Sequence, residues 1–330
     1  MHLAMGSRKP HTEVIDGVQA DPHCDPVLFR EAMNYRAQMG DIVQFTYPKS
    51  GTHWVAYIIQ LILSRGQPVA TYEDFTANVR YMGIVDFKRW KPTLPFRLFI
   101  THQPPCQQQM NDEAKYVYVA RNPWDVCVSF FHMATNVAGY RFQDGMFAEF
   151  LDAFLAGECG NGSYFDHIAF GYALKDKPNV LFVTYEELHA DLRSAVLRLA
   201  DFLGKEYSRD MKENEELLRT ILERCTAEYM RPVLVINYRE NRNPEWQEAL
   251  LRVKANCRDG HGGDATKYSY VREGKVGAWK DHFNAEQLRL MEEKIRQEER
   301  ASSVIDQLWG GIREEAAAMS GERTFANKEE

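Results

Sequence analysis

The sequence predicts a single α/β domain with a central, mostly parallel sheet flanked by helices, opened by a P-loop-like strand–loop–helix. Three observations carry this. Short apolar runs of strand length recur along the chain, helical patterns separate them, and no linker or internal repeat divides the sequence. Strands alternating with helices are the pattern of a parallel sheet with crossover connections. With 330 residues, 45% of them hydrophobic, the chain can bury a large core.

The elements follow in order. Residues 1–13 read as a flexible N-terminus or cloning scar, 14–315 as the folded domain and 316–330 as a frayed tail. The first 40 residues are polar and turn-rich, with a short helix expected from Pro26 to Tyr35. Strands are expected at Asp41–Thr46, Arg97–Thr101, Tyr116–Ala120 and Val180–Thr184. The third is mostly apolar, as in a sheet covered on both faces. A helix is expected over Glu186–Leu203, where Leu192, Val196, Leu199 and Phe202 recur at helical spacing. Tyr140 to Gly162 reads as helix plus loops, and residues 231–271 as a long polar cover. The last helix starts at Asn284, with Gln287 completing a capping-box pattern, and runs to about Ile312 with a break near Gly310-Gly311.

Bulk properties remove several function classes. A net charge of −7 argues against a nucleic-acid coat or a general membrane-surface binder. No apolar run approaches the ~18 residues that span a bilayer. The six cysteines are scattered without a CxxC pair, which fits free thiols in a reducing cytoplasm better than zinc or disulfides.

The chemistry concentrates in loops after the strands, where ligands sit in such sheets. TYPKSGTHW, residues 46–54, joins the first strand to an apolar helix. Gly51 lets backbone approach an anion, the N–H groups opening the helix are unpaired, Lys49 adds charge, and Ser50 and Thr52 add hydroxyls. The stretch therefore reads as a phosphate site; its structural alternative is a plain turn with an exposed Lys. The first Gly of GxxxxGK[ST] is absent, which disfavours an ordinary ATPase, GTPase or nucleotide kinase. After the third strand, Asn122 as N-cap, Pro123 and Asp125 make a helix start that places Arg121 at a strand end, with Ser129 two turns on. A guanidinium there suits a phosphate; the alternative is a surface Arg paired with Asp125. His102 ends the second strand before two prolines, as a general base or a packing residue. Tyr270 to Lys280 holds two glycines and three basic residues, a loop that can close over a second phosphate or simply face solvent.

In this order the four segments resemble the cytosolic sulfotransferases. TYPKSGTHW resembles the family's 5′-phosphosulfate loop, YVARNPWDVCVSFFH (118–132) its 3′-phosphate segment, FITHQPP (99–105) its catalytic-histidine strand end, and REGKVGAWKDHF (272–283) its late closing loop. The resemblance spans about Val14 to Phe283 and implies 3′-phosphoadenosine 5′-phosphosulfate (PAPS) as donor, PAP as product, and no metal. It implies that Lys49, Ser50, Gly51, Thr52 and His53 hold the phosphosulfate and that Trp54 stacks on adenine. Arg121, Ser129, Arg272 and Gly274 take the 3′-phosphate, and Tyr185 and Thr226 lie near adenine. His102 is the implied base, and Lys49 the cation on the leaving oxygen.

Four departures accompany the resemblance. Ile100 stands where the family usually has Lys, Ala227 where it has an adenine-facing aromatic, with Tyr229 a candidate substitute, and Glu273 where it has Lys. The dimer signature after Lys280 is poorly kept, which leaves monomer and homodimer both open. The acceptor is expected to be a small aromatic molecule such as a phenol or catecholamine. Its candidate pocket is Tyr47, Tyr81, Phe87, His132, Phe142 and Phe147, with Asp86, Asp144 or Glu149 facing any amine. A non-catalytic PAPS/PAP-binding relative is the competing reading.

Overall fold

A computed structural model describes residues 8–104, 110–241, 243–252 and 264–321. Nine strands are described: β1 (Glu13–Ile15), β2 (Val18–Ala20), β3 (Asp41–Thr46), β4 (Arg80–Tyr81), β5 (Arg97–Thr101), β6 (Lys115–Ala120), β7 (Val180–Thr184), β8 (Val235–Asn237) and β9 (Lys267–Ser269). Five form one parallel sheet in the order β4-β5-β3-β6-β7. All six residues of β3 are buried, because helices cover both faces of the central strand. The four expected strands are the four long members of this sheet. The fifth, β4, is a two-residue edge strand, too short to leave a periodic signal.

The topology fixes where a ligand can sit. The chain enters at β3, places β4 and β5 on one side, then β6 and β7 on the other. The winding direction reverses at β3, and crevices open beyond the strand ends at such a reversal. The loops after β3, β5 and β6 carry Lys49, His102 and Arg121, and the helix that directly follows β7 opens with Tyr185.

Local signals behave as their chemistry requires. Asn122 caps the helix Pro123–Asn136 by accepting from the Asp125 N–H, with Pro123 in the first turn. Asn284 and Gln287 form the reciprocal capping box of the helix Ala285–Gln297. The expected helix at Pro26–Tyr35 ends at Met33. The Glu186–Leu203 segment is two helices, Tyr185–Ala190 and Leu192–Leu203, because Asp191 ends the first and caps the second.

Three expectations change. The last helix ends early, at Gln297, and a second helix, Glu299–Ser320, carries the expected break as a non-helical Trp309 beside Gly310-Gly311. The indole of Trp309 donates to Glu186 Oε2 at 2.8 Å, a tertiary tie that sequence periodicity does not contain. Ala316 and Ser320 are buried, so the segment expected to fray is helical as far as Ser320; residues 322–330 lie outside the described residues. The irregular cover at 231–271 contains the β8–β9 hairpin, paired from Val235↔Ser269 to Asn237↔Lys267, and a helix Pro244–Arg252. Cys127, Cys159 and Cys225 are buried free thiols; Cys106 and Cys257 lie outside the described residues.

Candidate functional site

The β3 turn is built around two left-handed residues. Lys49 has φ 70° and Gly51 has φ 105°. A Cβ on Gly51 would lie 3.0 Å from the Tyr185 ring, so this position needs glycine both for its dihedral and for space. Gln44 donates to the Thr52 carbonyl at 2.9 Å, anchoring the helix Thr52–Leu63 to its strand. Ser50 is buried behind the cavity lining, and its hydroxyl has no partner among the described residues. A buried hydroxyl beside unpaired helix N–H groups is costly unless a ligand satisfies it.

Arg121 stitches three loops together. Its guanidinium donates to the Lys49 carbonyl at 3.3 Å and the Lys275 carbonyl at 3.0 Å, lies 3.6 Å from Asp125, and sits 4.1 Å over the Tyr185 ring. Its Nε has no partner among the described residues. Asp125 in turn accepts from the Gly277 and Trp279 N–H groups at 2.8 and 3.1 Å, pinning the closing loop to the start of a helix. The surface-Arg alternative therefore does not describe Arg121, which is buried.

One cavity of about 350 Å³ joins these parts, within the range of small-molecule sites. Lys49, Gly51, Thr52, His53, Trp54, Tyr81, His102, Arg121, Ser129, Tyr185, Thr226, Arg272 and Gly274 all line it. The indole of Trp54 donates to the Cys225 carbonyl at 2.9 Å and meets Tyr185 edge-on. The imidazole of His53 is stacked 3.7 Å from the Tyr270 ring and hydrogen-bonded to Tyr81, so it forms part of an aromatic wall while its backbone stays in the phosphate helix.

His102 is held in one tautomer. Its Nδ1–H donates to the Thr46 carbonyl at 2.7 Å, which leaves Nε2 with a lone pair. Burial, with Lys49 nearby, pushes its pKa below the ordinary value, against the opposing pull of the Thr46 carbonyl and Asp21. Lys49 is lowered to about 7, chiefly by burial and then by Arg121 and Arg272. Its ammonium rests 3.4 Å from the Tyr268 hydroxyl and near the rings of Tyr268 and Tyr270.

The family model for the sulfotransferase domain matches residues 39–303. An amine sulfotransferase of Oryctolagus cuniculus is 30% identical over 86% of this chain and 89% of its own length. Sulfotransferase 2B1 of Homo sapiens is 33% identical over 79% of this chain and 66% of its own length. The chain belongs to the sulfotransferase family. Among solved structures, mouse sulfotransferase SULT7A1 complexed with PAP has a TM-score of 0.61 at 23% identity, covering 93% of this chain and 99% of that one. Retinol dehydratase in complex with androsterone and inactive cofactor PAP reaches 0.59 at 24% identity, over 82% and 84%. These two likenesses establish the fold.

Within this sulfotransferase the departures take physical form. Ile100 is fully buried inside β5, so that position offers no cation. Ala227 lies so close to Gly274 that a Cβ on Gly274 would fall 2.7 Å from the Ala227 methyl. Tyr229 is exposed and does not line the cavity, which removes it as the substitute for the missing aromatic ring. Glu273 pairs with Arg272 and, at 2.8 Å, with Lys275, so its charge is offset within the closing loop.

The acceptor pocket differs most from expectation. Of the six candidates only Tyr81 lines the cavity. Tyr47 is packed among Phe130, Phe154, Tyr164 and His167, and Phe87 among Tyr35 and Phe99. Phe142 packs on Phe150, Phe147 on Phe131 and Phe283, and His132 lies 2.9 Å from His282. Tyr47, Phe87 and Phe142 are buried in the core, where loops fold back over the sheet, whereas His132 and Phe147 are half-buried outside the cavity lining. Asp86 and Glu149 accept from local backbone N–H groups, Asp144 is exposed, and none of the three lines the cavity. Sequence reasoning missed Met133, Val137, Tyr140, Tyr238, Trp246 and Tyr270, which do line it. Met133 lies in the last turn of the helix Pro123–Asn136, Val137 caps it and Tyr140 follows, and the others sit in the cover at 231–271, whose hairpin and helix leave little periodic signal. It also missed Asp21 and His23, which carry no motif at all.

Proposed function

We propose that this chain transfers a sulfuryl group from PAPS to a hydroxyl, or an amine nitrogen, of a small aromatic acceptor, releasing PAP. The observation that carries the reading is the state of His102: Nδ1 is tied to Thr46, and the basic Nε2 belongs to a side chain on the same cavity wall as Lys49. The residues fit an anionic donor, since Lys49, Arg121 and Arg272 line the cavity, Arg121 Nε is a buried donor without a partner among the described residues, and Gly51 and Thr52 bring the start of a helix to the same wall.

His102 takes the acceptor's proton as the acceptor oxygen forms its bond to sulfur. The bond from sulfur to the bridging oxygen of PAPS breaks, and its electron pair stays on the departing phosphate. Lys49 offsets the charge growing there, and the helix N–H groups after Gly51 hold the anion in place. Positioning and charge stabilisation dominate, as in phosphoryl transfer. Names among the relatives support both acceptor types, since one is called an amine sulfotransferase and the solved retinol dehydratase holds androsterone.

The test is transfer of labelled sulfate from PAPS to phenols, catecholamines, steroids and alcohols, with His102→Ala alongside. Turnover is expected for the wild type, with kcat falling by about 10²–10⁴ in the variant while PAP still binds. Buried Ile100 favours a second reading, a binding protein without turnover. Tight PAP binding with no acceptor sulfated is the result that would select it.

A further inference from the structure

The charges lining the cavity are divided between its two ends. The cations Lys49, Arg121, Arg272 and Lys275 all belong to the turn after β3, the end of β6 and the closing loop, which are the donor side. Two carboxylates line the cavity, Asp21 and Glu273. Glu273 is occupied by Arg272 and Lys275. Asp21 is the carboxylate that remains; His23 is its ring partner at 2.7 Å, and among the described residues no Lys or Arg is paired with it.

Asp21 follows β2 and is 9% exposed. Its Oδ1 accepts from the His23 backbone N–H at 2.9 Å and from His23 Nδ1–H at 2.7 Å, and its Oδ2 accepts from the Tyr140 hydroxyl at 2.6 Å. Burial pushes its pKa up, but His23 and Tyr140 outweigh that and bring it down to about 2, so it is a carboxylate at neutral pH. A carboxylate has about four acceptor positions. Three are filled, which leaves one on Oδ2 for a donor entering the cavity. The same space is walled by π-faces, among them Tyr81, Tyr140 and Trp246. Aromatic faces beside an ionised carboxylate attract a cation more strongly than a neutral group.

We propose that Asp21, held by His23 and Tyr140, is the recognition site for an ammonium group on the acceptor, so that the preferred acceptor is a phenol bearing an alkylammonium arm. The ammonium meets Asp21 and the aromatic faces while the phenolic hydroxyl is presented to His102. The proposal rests on the sulfuryl-transfer reading above and specifies its acceptor.

The experiment compares tyramine, its neutral analogue 4-ethylphenol and its anionic analogue 4-hydroxyphenylacetate, with wild type and Asp21→Asn. Wild type is expected to favour tyramine over 4-ethylphenol by at least about tenfold in kcat/KM, mostly through KM. In Asp21→Asn that ratio collapses towards one, and 4-hydroxyphenylacetate gains relative to both. A gain for the anion cannot come from a damaged fold, and a thermal shift on adding PAP checks the fold separately. Equal use of tyramine and 4-ethylphenol by wild type overturns the proposal, as does an unchanged ratio in the variant. If no phenol is sulfated although PAP binds, it is the transfer reading that fails. Calorimetry of tyramine and 4-ethylphenol binding to the PAP complex of both proteins then decides the recognition claim alone, with a tyramine preference lost in Asp21→Asn expected and its absence overturning the claim.

Discussion

Lys49 and His102 are both pushed towards neutrality, with opposite consequences. A general base must be unprotonated, so lowering the pKa of His102 keeps it active down to mildly acidic pH. The acid limb of kcat/KM is expected to lie below the ordinary histidine range. Lys49 must instead be charged to hold an anion. Burial above all, with Arg121 and Arg272 beside it, lowers its pKa to about 7. Above that pH the free protein loses the charge, whereas bound phosphates restore it. PAP binding should therefore take up a proton and weaken as pH rises between about 7 and 9. Calorimetry in two buffers of different ionisation enthalpy would measure the uptake; an affinity independent of pH over that range would mean that Lys49 stays charged throughout.

At the level of elements, the turn between β3 and its helix joins backbone geometry to binding. Gly51 combines a φ of 105° with a neighbour 3.0 Å from where a Cβ would stand. Gly51→Ala is expected to cost about 1–2 kcal/mol from the dihedral alone, with further loss from displacing Tyr185. Tyr185 also lies under Arg121, so the displacement reaches the Arg121 side of the cavity. PAP affinity should fall by more than stability does. Denaturant melts with and without PAP separate the two effects, and equal losses in both would count against a binding role for this turn.

For the whole molecule, the cavity draws on segments far apart in sequence: the turn after β3, the start of the Pro123–Asn136 helix, Thr226 and the closing loop at Arg272–Lys275. A ligand that bridges them binds only the folded chain. At a hundred times its Kd it adds about 2.7 kcal/mol. With ~2.1 cal/mol/K of unfolding entropy per residue, a 330-residue chain should then melt about 4 °C higher. A thermal scan with saturating PAP checks this, and no shift would argue that the donor site is not formed.

What the amino-acid sequence determined by itself is local and periodic. The four long strands, the caps at Asn122 and Asn284, and the glycine turn at Lys49–Gly51 are encoded within a few residues, where backbone sterics and hydrogen-bonding chemistry act directly. Tertiary structure alone decided which aromatic residues face the cavity. Tyr47 and Phe142 became core while Tyr140 and Trp246 became wall, although all four are large rings in turn-rich stretches. Burial of a side chain depends on what folds back over it, and that partner lies in distant sequence. The same is true of Asp21: no motif marks it in the chain, and although His23 two residues on holds it as a carboxylate, only the fold brings it to Tyr140, 119 residues later, in the pocket wall.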